Sequence, residues 1–226
     1  MKADLCIFSG ECEKVLDIGK KLGLDMAGLI VPLEEIAALR KLMKSRDWRE
    51  KPRLAVGTEV CAARAGQLRP AVCRVRKSAD IIVVRGGTEE LNRAAVETPE
   101  ADILLDHSVG GRSGINHVLA KLARKNNVSI GFDFNQVVTS YRMGRIQDFS
   151  AMVETARTVR KYSTPFVLTS GARDPWGMRS PSELLGLGSQ LGFTAGESGK
   201  GLSDEIVREN RKRLSGKWVM PGVEIE

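Results

Sequence analysis

Seven short apolar runs alternate with amphipathic segments, and this alternation constrains the fold more than any other feature of the chain. The runs have the length and aliphatic character of β-strands, and they occupy residues 5–8, 27–31, 54–60, 79–84, 102–105, 128–134 and 165–169. Apolar residues at helical spacing predict helices at 11–22, 114–127, 146–162 and 204–214, and further helices begin near Pro32, Glu89 and Pro181. Repeated βα units favour a parallel sheet.

Closure of this sheet into a (β/α) barrel is the simplest arrangement, because no linker or change in composition divides the chain. We therefore predict one domain over residues 1–226, with an extended tail at 218–225. The eighth strand of such a barrel is not evident, and residues 193–194 and the tail are the candidates for it. An open, doubly wound sheet is the competing architecture.

The chain is basic, which bears on its partners. Its 226 residues include 35 Lys and Arg against 28 Asp and Glu, for a formal net charge of +7. This excess favours an anionic partner such as nucleic acid, a phosphate ligand or an acidic protein, although a basic surface without a partner has the same composition. No apolar run approaches the ~20 residues of a membrane span and no signal peptide is evident, so we predict a cytoplasmic protein without a membrane partner.

Candidate metal ligands are scarce in this sequence. Only two histidines occur, His107 and His117, and none of the four cysteines forms a C-x-x-C pair. Histidine-rich metal centres of α/β hydrolases need several imidazoles, and structural zinc sites need paired thiols. We therefore predict neither kind of site and assign no metal ligand.

Arginines dominate the loops that follow the predicted strands, where a barrel carries its functional groups. Arg85 ends the fourth strand, Arg112 lies in the loop after the fifth, and Arg173 and Arg179 follow the seventh. The planar guanidinium group suits phosphate oxygens. These positions are therefore candidates for contacts with an anion.

A general acid or base is the main enzymatic possibility at the same end of the barrel. His107 follows the fifth strand, with Asp106 before it and Asp133 at the end of the sixth. Such a group could move protons. The simpler alternative is that His107 satisfies a hydrogen bond at the end of a strand.

The helix predicted at 114–127 carries a basic stripe. His117, Lys121, Arg124 and Lys125 share one face of it, and two other basic stretches occur at 40–53 and 208–213. A solvated polar face is the usual role of such a stripe, and contact with a phosphate backbone is the alternative. Several dispersed patches fit a large anionic surface better than a small ligand. With 5% aromatic residues, base stacking would be a minor mode of contact.

The central region resembles the archaeal ribonuclease P protein component 3 family and its eukaryotic thirty-kilodalton relatives. The likeness lies in residues 101–107 (ADILLDH), 114–123 (GINHVLAKLA) and 130–133 (IGFD), and residues 170–172, 176–181 and 221–224 look like the same family. The resemblance extends over the whole chain. It implies a TIM-like (β/α) barrel related to the polymerase-and-histidinol-phosphatase barrels. Those enzymes carry an Asp-x-His-x-His motif on the first strand. The comparable residues here, 4–8, include no histidine.

The resemblance implies a protein subunit of ribonuclease P, the ribonucleoprotein that removes the 5′ leader from precursor tRNA. Catalysis would belong to the RNA subunit, with magnesium on the RNA. We therefore expect this chain to be non-catalytic alone and to bind no cofactor. The implied partners are ribonuclease P RNA, protein component 2, the other protein subunits and, through the holoenzyme, precursor tRNA.

The residues that we predict to contact RNA or to serve assembly are Arg85, Arg112, His117, Lys121, Arg173 and Arg179. Two other hypotheses remain open at this point. One is a metal-dependent phosphoesterase on the same barrel, with a core made of Asp4, Asp106, His107 and Asp133. The other is a protein-assembly module that makes no RNA contact.

Overall fold

Seven parallel strands form one sheet in sequence order in the computed structural model, which describes residues 2–44, 51–215, 218–220 and 223–224. They are β1 (Ala3–Ile7), β2 (Met26–Ile30), β3 (Arg53–Val60), β4 (Ile81–Arg85), β5 (Ile103–Leu105), β6 (Ser129–Asp133) and β7 (Phe166–Thr169). The strand order never reverses, as it would in a doubly wound sheet. The predicted TIM-like barrel is therefore confirmed, and the doubly wound alternative is wrong.

Helices cover the outside of the barrel and its amino-terminal end. They are α1 (Cys12–Leu22), α2 (Ile36–Lys44), α3 (Ala65–Val75), α4 (Glu89–Val96), α5 (His117–Asn126), α6 (Phe134–Thr139), α7 (Met143–Tyr162), α8 (Pro181–Gln190), α9 (Ala195–Gly201) and α10 (Glu205–Leu214). Their apolar faces pack on alternate strand residues such as Ile82, Leu104 and Phe132. The other strand residues, among them Leu5 and Val83, form the interior cluster. Both faces of the strands are buried, so the strands are aliphatic throughout.

The barrel closes between β1 and β7 through side chains. Within the described residues no backbone ladder joins these two strands. Instead, Oδ1 of Asp4 accepts hydrogen bonds from the Thr169 hydroxyl at 2.6 Å and from the Ser170 amide at 3.1 Å. The Thr169 hydroxyl in turn accepts from the Cys6 amide at 3.2 Å. Burial raises the pKa of Asp4, and these hydrogen bonds only partly oppose that effect.

α10 closes the amino-terminal end of the barrel. Its Val207 is fully buried in the interior cluster. The Asn210 amide donates to the Asp80 carbonyl at 2.9 Å and to the Asp102 carboxylate at 2.8 Å, and Arg211 pairs with the Asp80 carboxylate at 3.0 Å. Because Asp80 and Asp102 directly precede β4 and β5, this end is filled by structural contacts. The opposite end, the carboxyl rim, is left to carry functional groups.

The helix boundaries depart from the sequence prediction in identifiable places. α5 begins at His117, three residues later than expected, because the Asn116 side chain accepts the amides of Val118 and Leu119 as its N-cap. The capping box of Ser180 and Glu183 is present at α8, as predicted. The helices α3, α6 and α9 were not predicted.

Neither candidate for an eighth barrel strand joins the sheet. Phe193 is a buried core residue, and Thr194 caps α9. The described part of the tail forms an antiparallel pair, β8 (Trp218–Met220) and β9 (Val223–Glu224), that is separate from the barrel. Residues 45–50 of the basic stretch and residues 221, 222 and 225 of the tail lie outside the described residues. No described helix is both long and apolar enough to cross a membrane.

Replacement of the seam hydroxyl should destabilise the barrel. Thr169→Val keeps the shape of the side chain but removes its hydrogen bonds to the Asp4 carboxylate and the Cys6 amide, both of which are buried. We expect the free energy of unfolding, measured by urea denaturation, to fall by about 1–3 kcal/mol. Thr158→Val, whose hydroxyl bonds only to the Glu154 carbonyl on the surface of α7, is the control and should change it by less than about 0.5 kcal/mol. Equal effects of the two substitutions would rule out the proposed role of the seam.

Candidate nucleic-acid interface

Arg85 is a largely enclosed member of the predicted contact residues, with a side chain that is 19% exposed. It ends β4, and its guanidinium forms ion pairs with the Glu59 carboxylate from β3 and the Asp106 carboxylate beyond β5. Burial alone would lower the pKa of Arg85, but the Asp106 and Glu59 carboxylates outweigh it and the pKa is raised. The parallel register of β3, β4 and β5 brings the three residues together. The Glu59 and Asp106 carboxylates therefore neutralise the charge of Arg85, and these ion pairs hold the rim together.

Arg173 is exposed and shares an aromatic neighbour with Arg85. The two guanidinium carbons lie 4.9 Å and 5.1 Å from the centroid of the Phe8 ring, which follows β1. Cation–π contacts of this kind hold a guanidinium in place without neutralising it. Arg173 forms no ion pair with any described residue. It is therefore the free cation of this part of the rim.

Arg112 and Arg179 stand apart from that pair. Arg112 is exposed in the loop after β5, where its backbone pairs with Val109. Arg179 is half-buried, lies 5.2 Å from the Phe134 ring centroid and donates to the Met178 carbonyl at 3.1 Å. The rim arginines thus form one pair around Phe8 and two separate positions, not a single cluster.

His107 is a buried, neutral residue. It is 4% exposed, its Nδ1 has no hydrogen-bond partner, and its backbone carbonyl accepts from the Asn92 amide at 2.7 Å. Burial lowers the pKa of His107 to about 4, against smaller opposing effects of a hydrogen bond with the Gly131 backbone and of the Asp106 charge. The ring also packs edge-on against Phe132. These contacts match the simpler, structural role considered for this histidine.

Asp133 is a buried helix cap. Its Oδ1 accepts the Asn135 amide at 2.7 Å, which starts α6. Burial raises the pKa of Asp133 to about 7. The backbone of Gly171, at φ +60°, lies so close that a Cβ there would sit 1.7 Å from the Asp133 carboxylate. Only glycine can therefore occupy position 171 beside the Asp133 carboxylate.

Each of the four residues of the phosphoesterase hypothesis therefore has a different structural role. Asp4 lies in the seam, Asp106 pairs with Arg85, His107 is buried and Asp133 caps α6. No group of three or more His, Cys, Asp or Glu side chains in the described part of the chain is placed to hold a metal ion. The arrangement does not favour a phosphoesterase.

The predicted basic stripe of α5 meets a lysine from α7 around one tyrosine. The Nζ atoms of Lys121 and Lys161 lie 5.4 Å and 5.5 Å from the centroid of the Tyr162 ring, and Arg124 donates to the Tyr162 carbonyl at 3.2 Å. The His117 and Tyr162 ring centroids are 6.5 Å apart. We call this surface the α5–α7 basic face; its residues are His117, Lys121, Arg124, Lys125, Lys161 and Tyr162.

The α5–α7 basic face is open and positively charged. A shallow surface cavity of about 440 Å³ is lined by Lys121, Arg124, Lys125, Lys161 and Tyr162. None of these four cations forms an ion pair with a described residue. Unpaired cations that share a cavity raise the local concentration of anions. The sequence predicts the α5 residues of this face but not Lys161 and Tyr162, although the last turn of α7 is basic.

Comparisons with known proteins agree with the resemblance noted in the sequence. The family model described as RNase P subunit p30 matches residues 18–215. Ribonuclease P protein component 3 of Methanococcoides burtonii is 36% identical over 168 residues, which are 74% of this chain and 70% of that protein. The component 3 protein of Methanosarcina mazei is 31% identical over 216 residues, which are 94% of this chain and 88% of that protein.

A solved structure has the same fold. A chain in the cryo-EM structure of archaeal Ribonuclease P with mature tRNA superimposes with a TM-score of 0.81. The match covers 99% of this chain and 97% of that chain at 23% sequence identity. At this identity the match supports the fold.

Two buried groups should give opposite pH dependences of stability. Between pH 4 and 7 the folded chain keeps a proton on Asp133 that the unfolded chain has lost, so this residue lowers the free energy of unfolding as pH rises. Between pH 4 and 6.5 the unfolded chain holds a proton on His107 that the folded chain lacks. This residue therefore raises the free energy of unfolding as pH rises. In the wild-type chain the two effects should largely cancel.

Single substitutions should expose each slope. Relative to the wild type, Asp133→Asn should gain up to about 1.4 kcal/mol of unfolding free energy per pH unit from pH 4.5 to 6.5, and His107→Gln should lose a similar amount. Urea denaturation at several pH values measures both, and the double variant is the control that should run parallel to the wild type. Slopes of the same sign for the two single variants would contradict the burial of one of these groups.

Proposed function

Because the chain belongs to the RNase P subunit p30 family, we propose that it is a protein subunit of ribonuclease P and that its α5–α7 basic face binds the RNA backbone. The family assignment supports the first part. The observation that carries the second is the group of four cations, Lys121, Arg124, Lys125 and Lys161, gathered around Tyr162 without a described acidic partner. Cations in this arrangement neutralise phosphates and release their counterions.

The geometry of the face favours recognition of shape over sequence. Lysine ammonium groups bind phosphate as point charges and carry no base specificity. Tyr162 packs beneath Lys121 and Lys161 and is only half-exposed, so its ring steadies the cations and offers little area for base stacking. A folded RNA with closely spaced phosphates is the partner that this surface suits.

The rim arginines have different roles in this proposal. Arg173 and Arg112 are exposed cations and serve as secondary contacts with RNA or with neighbouring subunits. Arg179 is half-buried and contributes to the same edge. Arg85 acts indirectly, because its ion pairs with Glu59 and Asp106 hold the rim on which Arg173 stands.

The family assignment and the composition of the chain support the remaining parts of the proposal. The chain supports removal of the 5′ leader of precursor tRNA in the cytoplasm and performs no catalysis alone. Catalysis and magnesium belong to the RNA subunit, and this chain binds no cofactor. Its partners are ribonuclease P RNA, protein component 2, the other protein subunits and, through the holoenzyme, precursor tRNA.

Loss of the lysines of the α5–α7 basic face should weaken RNA binding and its salt dependence. In the triple variant Lys121→Ala, Lys125→Ala and Lys161→Ala, we expect the slope of log K against log salt to decrease by about 1 for each lysine that contacts a phosphate. Filter binding or fluorescence anisotropy with ribonuclease P RNA at several salt concentrations measures this change.

A matched variant controls for net charge. Lys20→Ala, Lys21→Ala and Lys77→Ala remove three exposed lysines from other faces of the barrel. This variant has the same net charge as the first but should keep the wild-type slope. If both variants lose the same slope, binding depends on overall charge and the assignment to the α5–α7 basic face is wrong. If the wild-type chain does not bind RNA at all, the protein-assembly hypothesis replaces this one.

A further inference from the structure

Large apolar side chains stand exposed where α6 meets α7, on the carboxyl-rim side of the barrel. Val138 is 45% exposed, Tyr141 72%, Met143 67% and Ile146 65%. We call these four residues the α6–α7 corner. Apolar groups gathered at one place on a protein surface and bordered by charge mark a site of interaction.

Hydrogen bonds hold the α6–α7 corner in a defined arrangement. The Arg145 guanidinium donates to the Ser140 carbonyl at 2.9 Å and to the Val138 carbonyl at 3.2 Å. The Ser140 hydroxyl contacts the Gln136 carbonyl at 2.7 Å and the Asp148 carboxylate. These contacts tie the connecting loop to both helices, so the apolar side chains are presented in one arrangement. A surface ordered in advance loses less conformational entropy when it binds.

Arg142 and Arg145 border the corner, and Arg112 lies on a neighbouring loop. Arg142 stacks on the Tyr141 ring at 5.0 Å, Arg145 holds the loop, and Arg112 is exposed on the loop that packs beside the first turns of α7. None of these three arginines forms an ion pair with a described residue. The nearby Asp148 carboxylate is bonded to the Ser140 hydroxyl. The corner therefore combines an apolar centre with a cationic border.

We propose that the α6–α7 corner docks another protein, through a segment of it that presents apolar side chains bordered by Asp or Glu. Tyr141 could stack on a base, but Val138, Met143 and Ile146 offer no hydrogen-bond donor to a phosphate and no flat ring, so RNA would leave these three exposed side chains unpartnered. A second copy of this chain would bring two arginine borders together, and such like-charge contacts are unfavourable. An acidic border on the partner satisfies the three arginines while its apolar residues cover the centre.

This inference rests on the proposed function in one respect, which is that a subunit of a ribonucleoprotein has protein neighbours. The corner is formed by α6 and the start of α7, whereas the α5–α7 basic face lies around Tyr162 at the end of α7. The two surfaces can therefore be changed one at a time. RNA binding and protein binding can be measured on the same variants.

The test is a pair of double variants titrated with the other protein subunits of the ribonuclease P particle, each added singly to the full chain. Met143→Glu with Ile146→Glu places negative charge in the apolar centre. Leu33→Glu with Val118→Glu makes the same chemical change at two other exposed apolar positions, 38% and 42% exposed. We expect at least one subunit to bind the wild-type chain, with a Kd that rises at least about 30-fold for the corner variant. For the matched variant the Kd should stay within about threefold.

Arg142→Glu gives a second measurement that changes the border and keeps all four apolar side chains of the corner. It should weaken binding of the same subunit about tenfold, and the binding should become less dependent on salt. Urea denaturation of each variant confirms that the barrel remains folded.

Four results would overturn the inference. They are an unchanged Kd for the corner variant, no binding of any subunit to the wild-type chain, a loss of RNA affinity with protein binding intact, and a wild-type self-association that the corner variant abolishes. The third would assign the corner to RNA, and the fourth to a second copy. Because the lysine variants test RNA binding separately, an unchanged Kd for the corner variant leaves the proposed function standing, whereas no binding of any subunit to the wild-type chain would also contradict the proposed protein partners.

Discussion

The hydrogen bonds between Asp4 and Thr169 are the contact on which the rest of the barrel depends. Seven strands leave one seam without a ladder, and a buried strand edge with unpaired amides would be costly. The Asp4 carboxylate and the Thr169 hydroxyl bridge that seam, and Ser170 and Cys6 complete it with backbone amides. The seam places the loop after β7 beside the Phe8 amide, which donates to the Ala172 carbonyl at 2.7 Å. In this way the seam fixes the position of Arg173.

The polar residues of the carboxyl rim serve this construction before they serve anything else. Asp133 starts α6, Asp106 and Glu59 hold Arg85, and His107 is packed neutral beneath the loops. These described rim side chains are held apart by separate structural contacts and are not gathered around one open site. Exposed cations without an ion pair to a described residue lie at Arg112 and Arg173 on the rim and, as a group of four, on the α5–α7 basic face. A fold shared by many enzymes is here better suited to hold an anionic polymer.

Local patterns predicted much of this structure. The strands could be found because burial on both faces makes them continuously aliphatic, as in β4 with its run from Ile81 to Val84. α3 was not predicted because Pro70 lies inside it. α6 and α9 were not predicted because six or seven residues are too few to show a helical period. The eighth strand could not be found because side chains close the barrel in its place.

The candidate surface was predictable only in part, because some of its residues come together only through tertiary packing. His117 and Lys121 share a helix face, and that relation follows from their spacing. Lys161 and Tyr162 join them through the packing of α5 on α7, which no local pattern encodes. Arg85 resembled a free rim cation in the sequence, because Glu59 and Asp106 reach it only through the parallel register of three strands.

Cleavage of precursor tRNA by a reconstituted particle tests the central claim most directly. The particle would be assembled from ribonuclease P RNA and all its protein subunits, with this chain present or omitted, and the rate of 5′ leader removal would be measured near physiological salt. If the chain holds the RNA in its active shape by neutralising phosphates, its omission should lower the rate, and raised magnesium should restore part of it. An unchanged rate and unchanged RNA folding without the chain would contradict the account.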